Sequence, residues 1–245
     1  MSNFGEKKKL YLSLIEAAEK ISDSKVREAT LSILKEPKIT FTNVEAKIPV
    51  YEAPAAPRKH HAYPGGLIEH TWAVLIIAKS LAEIFEKTYG VRVNRDLVIA
   101  SAILHDIFKF YQYEKDPITG GYRPRSDWYL SHEFAIIAEL SKRNAPEGLI
   151  RCLAEMHGSV PASMIESEIT RFADSVDAKF VGKLQDIVWN ACKDVELITN
   201  GKYLAQKLYP QILMAKTIFE LAKIFYDKGR DELAKYILKF AEKNL

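Results

Sequence analysis

His105 and Asp106 stand side by side at the end of the apolar run 97–104. An imidazole and a carboxylate at the inner end of a buried helix each need a polar partner where water is scarce. A metal ion satisfies both. All six histidines lie between His60 and His157. Of these, His70, His105, His132 and His157 are spaced like ligands delivered by successive helices. Imidazole nitrogen and carboxylate oxygen together suit borderline divalent ions: Mn, Fe, Co, Ni or Zn. His70, His105, Asp106 and Asp174 form the first candidate set, drawn from three helices on faces that should point inward. His132 lies near a helix N-terminus, where the macrodipole favours the neutral imidazole a metal requires. His157 stacks over Leu153 and Ile150 just before Gly158. With Asp106 as a bridging carboxylate, these two could hold a second ion. Asp177 shares a helix face with Asp174. Either could ligate, or Asp177 could orient a neighbour or contact substrate.

The elements that must position these residues read mostly as helix. Helical spacing covers about 6–20 and 26–35, and Pro37 ends it. Stretches 39–42 and 48–51 read as extended or irregular. The segment 53–57, with Pro54 and Pro57, reads as a fixed loop carrying Arg58, Lys59, His60 and His61 to a site. After Pro64-Gly65-Gly66 the periodicity predicts a helix over 67–88 with His70 on its apolar face, closed by Gly90. The next helix is predicted from about 94 to 108. Its Ser101 and Ala102, one turn before His105 and Asp106, would leave room for a hydrated ion. Residues 111–125 predict a β-hairpin with a Gly120-Gly121 turn, a candidate flap at the substrate edge. Helices follow from about 127 or 131, over 147–158 and from about 165 or 166 to 198. Two more are expected after 203, interrupted around Gly229. They would either cover the core or form a homodimer face.

The 245 residues allow one large domain or two small ones, and 48% hydrophobic content is ample for a core. A net charge of +3 does not by itself argue for nucleic acid. No apolar run approaches the roughly 18 residues that would span a bilayer, and no signal peptide is visible. Cys152 and Cys192 are the only cysteines. They are read as core thiols in a reducing, cytoplasmic compartment.

Positive groups near the candidate site in sequence are Arg58, Lys59, Lys109, Arg123 and Arg125. A phosphoryl substrate needs such charge for binding and to offset charge growing in the transition state. Arg58, Lys59, Lys109 and Arg123 are the candidates for phosphate contact. His60 and His61 either touch substrate or fix their loop, and His61 is carried forward as a substrate contact. Tyr63, Tyr111, Tyr113 and Trp128 could stack on bases or simply fill the core.

The order His70, His105-Asp106, His132, His157, Asp174 resembles the HD-domain metal-dependent phosphohydrolase superfamily. The strings His60-His61-Ala62-Tyr63-Pro64-Gly65-Gly66-Leu67-Ile68-Glu69-His70-Thr71, Leu130-Ser131-His132, Met156-His157-Gly158 and Ala173-Asp174-Ser175-Val176-Asp177-Ala178 resemble the HD part of the bacterial YhaM-type 3′-to-5′ exoribonucleases. The resemblance covers about residues 54–180. It implies an all-α HD-type helical bundle with a small β-hairpin insertion. The whole of 1–245 would be one domain: an N-terminal helical extension over 1–53, the core over 54–199 and extra helices over 200–245. It implies a first metal on His70, His105, Asp106 and Asp174, and a second on Asp106, His132 and His157. Two departures stand out. Phe108 precedes Lys109 where the family often has Gly, and no stretch reads as an OB domain. The retained Lys109, one turn past His105, is placed to meet a phosphate oxygen.

The expected chemistry is hydrolysis of a phosphate ester by metal-activated water, with Asp106 and Lys109 as catalytic groups. The substrate would be a nucleotide or the 3′ end of a single-stranded nucleic acid. The alternative is a non-catalytic nucleotide-binding or sensor module.

Overall fold

Apolar residues at three- and four-residue spacing build ten α-helices among the described residues, which are 3–158 and 160–245 of this computed structural model. In chain order they are α1 (Asn3–Glu19), α2 (Ser24–Lys35), α3 (Gly66–Tyr89), α4 (Arg95–Leu104), α5 (His132–Lys142), α6 (Glu147–Met156), α7 (Ile165–Ile198), α8 (Ala205–Ala215), α9 (Ile218–Lys228) and α10 (Arg230–Asn244). The sheet content described is one antiparallel hairpin, β1 (Tyr113–Lys115) with β2 (Tyr122–Pro124), Glu114 facing Arg123. The expected all-α architecture with a single small hairpin is therefore the observed one.

Helix ends follow local chemistry. Asp23 and Asn94 accept backbone N–H bonds at the starts of α2 and α4. Gly90 closes α3 in the left-handed region. The Asp96 carboxylate also accepts from the backbone of Ser22 and Asp23, which ties the α1–α2 turn to α4.

Two hydrophobic clusters form. One gathers the inward faces of α1 to α6 and the first part of α7. The other gathers the second half of α7 with α8, α9, α10 and Tyr63. The 34 residues of α7 span about 51 Å at 1.5 Å per residue. That one helix gives Ile169 and Ala173 to the first cluster, carries Asp174 and Asp177 beside it, and forms the floor of the second. Cys152 on α6 and Cys192 on α7 are buried free thiols. No helix among the described residues is long and apolar enough to cross a membrane.

Three details differ from the sequence reading. The helix expected to run to 108 stops at Leu104, and a 3₁₀ turn takes over at Ile107–Gln112. Asp106 breaks it, with φ −110° and ψ 0°. This is the sparsely populated bridge region, where active-site residues recur. Second, Ser101 and Ala102 leave no space for an ion. The Ser101 hydroxyl lies 2.8 Å from that of Thr170 on α7, so the small side chains let α4 and α7 pack closely. Third, the C-terminal region holds three helices rather than two. Thr217 and Glu220 form a reciprocal capping box that starts α9.

The segment between α2 and α3 is irregular but anchored. Buried Glu139 accepts from the backbone and hydroxyl of Thr40. The Arg125 guanidinium donates to the carbonyls of Glu45 and Tyr111. At the hairpin tip a Cβ on Gly121 would meet Pro210 of α8 at 2.8 Å, so the turn is seated on the C-terminal helices.

Candidate metal centre

Five helix ends or faces converge on Asp106. His70 comes from α3, His105 from the end of α4 and Asp174 from α7. His132 opens α5 and His157 closes α6. In a continuous helix, neighbouring side chains point about 100° apart. The break at Asp106 lets both His105 and Asp106 face one centre.

The first group is tight. His70 Nε2 lies 3.0 Å from Asp174 Oδ1, 3.4 Å from Asp106 Oδ2 and 3.4 Å from His105 Nε2. His105 Nε2 is 3.5 Å from Asp106 Oδ2 and 3.9 Å from Asp174 Oδ1. Ligands about 2.1 Å from a common ion stand about 3.0–3.4 Å apart, so the spacing fits a shared cation. Each imidazole is held in the tautomer that frees Nε2. His105 Nδ1 donates to the Ala102 carbonyl at 2.9 Å. His70 Nδ1 lies 2.6 Å from Asp177 Oδ2. Such a carboxylate–histidine pair orients a metal ligand and raises its basicity. Asp177 thus stands where it can orient His70, one of the roles its spacing left open.

The second group shares Asp106. His132 Nε2 is 3.1 Å from Asp106 Oδ1, and the rings of His132 and His157 meet edge to face at 5.1 Å. His157 Nδ1 is 3.8 Å from Glu133 Oε1. Lys109, in the 3₁₀ turn, brings its ammonium 2.5 Å from Asp106 Oδ2.

The polar bookkeeping points to cations. Asp106 is 1% exposed, yet neither carboxylate oxygen receives a hydrogen bond of acceptable geometry. His132 Nε2 and His157 Nε2 are equally buried and unpartnered. Lys109 offsets part of the Asp106 charge, and the remaining unsatisfied capacity of these four atoms is costly unless an ion engages them. Charge agrees. Asp106, Asp174 and Asp177 carry three negative charges and Lys109 one positive, leaving two for a divalent ion. In its absence a proton substitutes. Burial pushes the His70 imidazole down, but Asp106, Asp174 and Asp177 outweigh it and raise its pKa to about 10. Burial lowers His105 to about 4 and also lowers His157, so both are neutral near pH 7, the form a metal requires. Burial opposes ionisation of Asp174, yet His70 and His105 bring it down to about 2. Asp106 sits well below the carboxylate range despite its burial, because Lys109, His105, His132 and His70 surround it.

The residues expected to meet substrate divide. Lys109 joins the cluster. His61 is 2% exposed, its Nε2 3.6 Å from Asp177 Oδ2 and its Nδ1 3.2 Å from His60 Nδ1, with both rings near His70. Arg58 and Lys59 are exposed on the preceding turn, and no ion pair or hydrogen bond links them to the cluster. Arg123 is exposed on β2 and paired with Glu114 at 2.8 Å. Arg125 is buried and paired with Asp127, as a loop anchor.

Two variants test this construction. Asp177→Asn removes the carboxylate behind His70 and lowers metal affinity about 10- to 100-fold, as read by competition with a chromogenic chelator. Gly66→Ala places a Cβ 2.2 Å from the His61 carbonyl oxygen, which is backbone and cannot swing aside. Its thermal midpoint falls by several degrees, in line with an overpacking cost of about 1–3 kcal/mol.

A sequence-family model for the HD domain matches residues 67–179. A dihydroneopterin 2′,3′-cyclic phosphate phosphodiesterase of Methanocaldococcus jannaschii is 40% identical over 184 residues, covering 74% of this chain and 72% of that protein. The 3′-5′ exoribonuclease YhaM of Bacillus velezensis is 30% identical over 142 residues, 52% of this chain and 43% of that enzyme. Its Bacillus subtilis counterpart is 30% identical over 140 residues, 51% and 42% respectively. The matched segment is therefore less than half the length of either exoribonuclease. No solved structure matches the chain. With the ordered His and Asp set gathered at one centre and these relatives alongside it, the chain belongs to the HD-domain family of metal-dependent phosphohydrolases.

Proposed function

We propose that this chain hydrolyses a small cyclic phosphodiester rather than trimming a nucleic-acid strand. The observation that carries the chemistry is the buried Asp106 carboxylate, ringed by His70, His105, Asp174, His132, His157 and Lys109. His70, His105, Asp106 and Asp174 would hold one divalent ion, and Asp106, His132 and His157 a second. A bound ion of the Mn, Fe, Co, Ni or Zn group supplies Lewis acidity toward a phosphoryl oxygen and acidifies water.

The chain's own groups do the rest. Asp106 ties both ligand sets to one point, which fixes where the scissile phosphorus must sit. Burial opposes charge on Lys109, but Asp106 beside it raises the ammonium's pKa, so the lysine stays cationic. That charge stands where non-bridging oxygens gain negative charge in the transition state. His105 and His70, locked by Ala102 and Asp177, keep their nitrogen lone pairs aimed inward without reorganisation.

Two observations support a small substrate. The relative that acts on a cyclic phosphate matches over about three-quarters of both chains, whereas the exoribonucleases match over about half of this one. The hairpin also lacks free positive charge. Lys115 pairs with Glu52, Arg123 with Glu114 and Arg125 with Asp127. A strand backbone is bound through uncompensated cations along a groove, and these three are neutralised.

The decisive experiment gives Mn²⁺- or Fe²⁺-loaded protein a panel of 2′,3′-cyclic phosphodiesters alongside end-labelled single-stranded RNA. Ring opening to a phosphomonoester, with the RNA uncut, is expected. Stepwise RNA shortening from the 3′ end without ring opening overturns the reading.

A further inference from the structure

His157 is held differently from the ligands of the first group. His70 and His105 are each fixed through Nδ1, by Asp177 and by the Ala102 carbonyl. Among the described residues no hydrogen bond fixes the His157 ring. Its Nε2 has no partner, and its Nδ1 stands 3.8 Å from Glu133 Oε1, beyond hydrogen-bond reach. The ring's place therefore rests on the backbone that carries it, at the end of α6.

That end is fastened by Glu155, two residues before His157. Glu155 is 2% exposed, on the same face of α6 as Cys152. Its Oε1 accepts from Arg151 Nε at 2.9 Å and from the Ser163 hydroxyl at 2.6 Å. Its Oε2 accepts from the backbone N–H groups of Ser163 at 2.8 Å and Met164 at 2.9 Å, and from the Ser167 hydroxyl at 3.1 Å. An ionised carboxylate offers about four lone-pair sites, so these donors saturate it. All of them except Arg151 belong to the start of α7. Met164 is the N-cap of α7 and brings no side-chain cap of its own. A helix start leaves N–H groups unpaired, and its dipole favours an anion. Glu155 answers both needs from the neighbouring helix, and so joins the end of α6 to the helix that carries Asp174.

α7 is tied to α4 by separate contacts. Glu166 accepts from the Asn94 N–H at 2.7 Å, and the hydroxyls of Ser101 and Thr170 meet at 2.8 Å. α4 leads directly into His105 and Asp106. His105, Asp106 and Asp174 thus keep their register without Glu155, whereas His157 does not.

We infer that Glu155 is the positioning residue of His157: by joining the end of α6 to the start of α7, it sets where His157 stands relative to Asp106. It builds the second ion site and leaves the first alone. The inference rests on the two-ion reading proposed above.

Mn²⁺ titration of metal-stripped protein, followed by calorimetry and by electron paramagnetic resonance, tests it. The wild type is expected to take a second ion and then to show the exchange-coupled signal of an adjacent Mn²⁺ pair. Glu155→Gln keeps the side chain's shape but turns an amide N–H₂ toward groups that only donate. Its first ion is expected to bind as in the wild type. Its second binds about 10- to 100-fold more weakly, the scale of losing a group that orients a ligand, and the coupled signal appears only at correspondingly higher Mn²⁺. Ser163→Ala combined with Ser167→Ala removes two hydroxyl donors and spares the carboxylate. It gives a smaller loss at the same site, and it decides the matter if Glu155→Gln does not fold. Equal weakening of both ions, or a second ion bound as in the wild type, overturns the inference alone. A wild type that takes a single ion overturns the two-ion reading and the inference with it.

Discussion

Asp106→Asn lowers metal-dependent phosphodiester turnover by about 10³-fold or more while leaving the fold in place. The size follows from how many partners meet at that carboxylate. Its Oδ2 faces His70, His105 and Lys109, and its Oδ1 faces His132. Removing its charge weakens both candidate ion sites at once and leaves the Lys109 ammonium without its counter-charge. No other ligand is shared in this way, so His132→Ala or Asp174→Ala should each cost less than Asp106→Asn. The amide preserves the carboxylate's shape, and Asp106 supplies no side-chain cap to the 3₁₀ turn that follows it. Helical circular dichroism is therefore retained. Steady-state kinetics with saturating Mn²⁺, paired with metal analysis of the isolated variant, checks the prediction. Turnover within tenfold of wild type would remove Asp106 from the chemistry.

The convergence of the candidate ligands was legible in the sequence because helix periodicity assigns a facing direction to each residue. His70 between Leu67 and Val74, and His105 after the run 97–104, could only point inward. What periodicity hides is where a helix stops. Ile107 and Phe108 continue the apolar pattern and are fully buried, so nothing local marks the break at Asp106. That break serves the convergence of side chains from other helices. Thr217-x-x-Glu220 is the opposite case, a capping box readable from sequence and overlooked among amphipathic residues. The hairpin arginines illustrate a third limit. Pairing Arg123 with Glu114 needs the strand register, and anchoring Arg125 on the Glu45 carbonyl needs tertiary contacts 80 residues apart. His60 and His61 lie in a loop without periodicity. Their burial beside His70 and Asp177 depends on contacts with a helix more than a hundred residues away.

Stripping the metal with EDTA abolishes turnover and lowers the thermal midpoint by roughly 5–15 °C, and Mn²⁺ or Fe²⁺ restores both. An ion that binds only the folded chain stabilises it by about 2.7 kcal/mol at a hundred times its Kd and about 4.1 at a thousand times. For a chain of this size each kcal/mol moves the midpoint by about 2–4 °C. The pH dependence separates this from nonspecific salt effects. In the metal-free protein His70 is raised to about 10 by Asp106, Asp174 and Asp177, against about 6.5 in the unfolded chain. A raised pKa contributes stability that is fully present below about 6.5 and is lost as pH climbs through 10. The metal-free protein therefore weakens across that window. The loaded protein lacks this His70 contribution, because the ion has displaced the His70 proton. Binding consequently releases a proton near neutrality, and affinity rises about tenfold per pH unit between roughly 7 and 9. Thermal melts of loaded and stripped protein, with calorimetry in buffers of different ionisation enthalpy, measure both effects. A midpoint indifferent to metal, or binding without proton release, would show that the cation does not sit on His70.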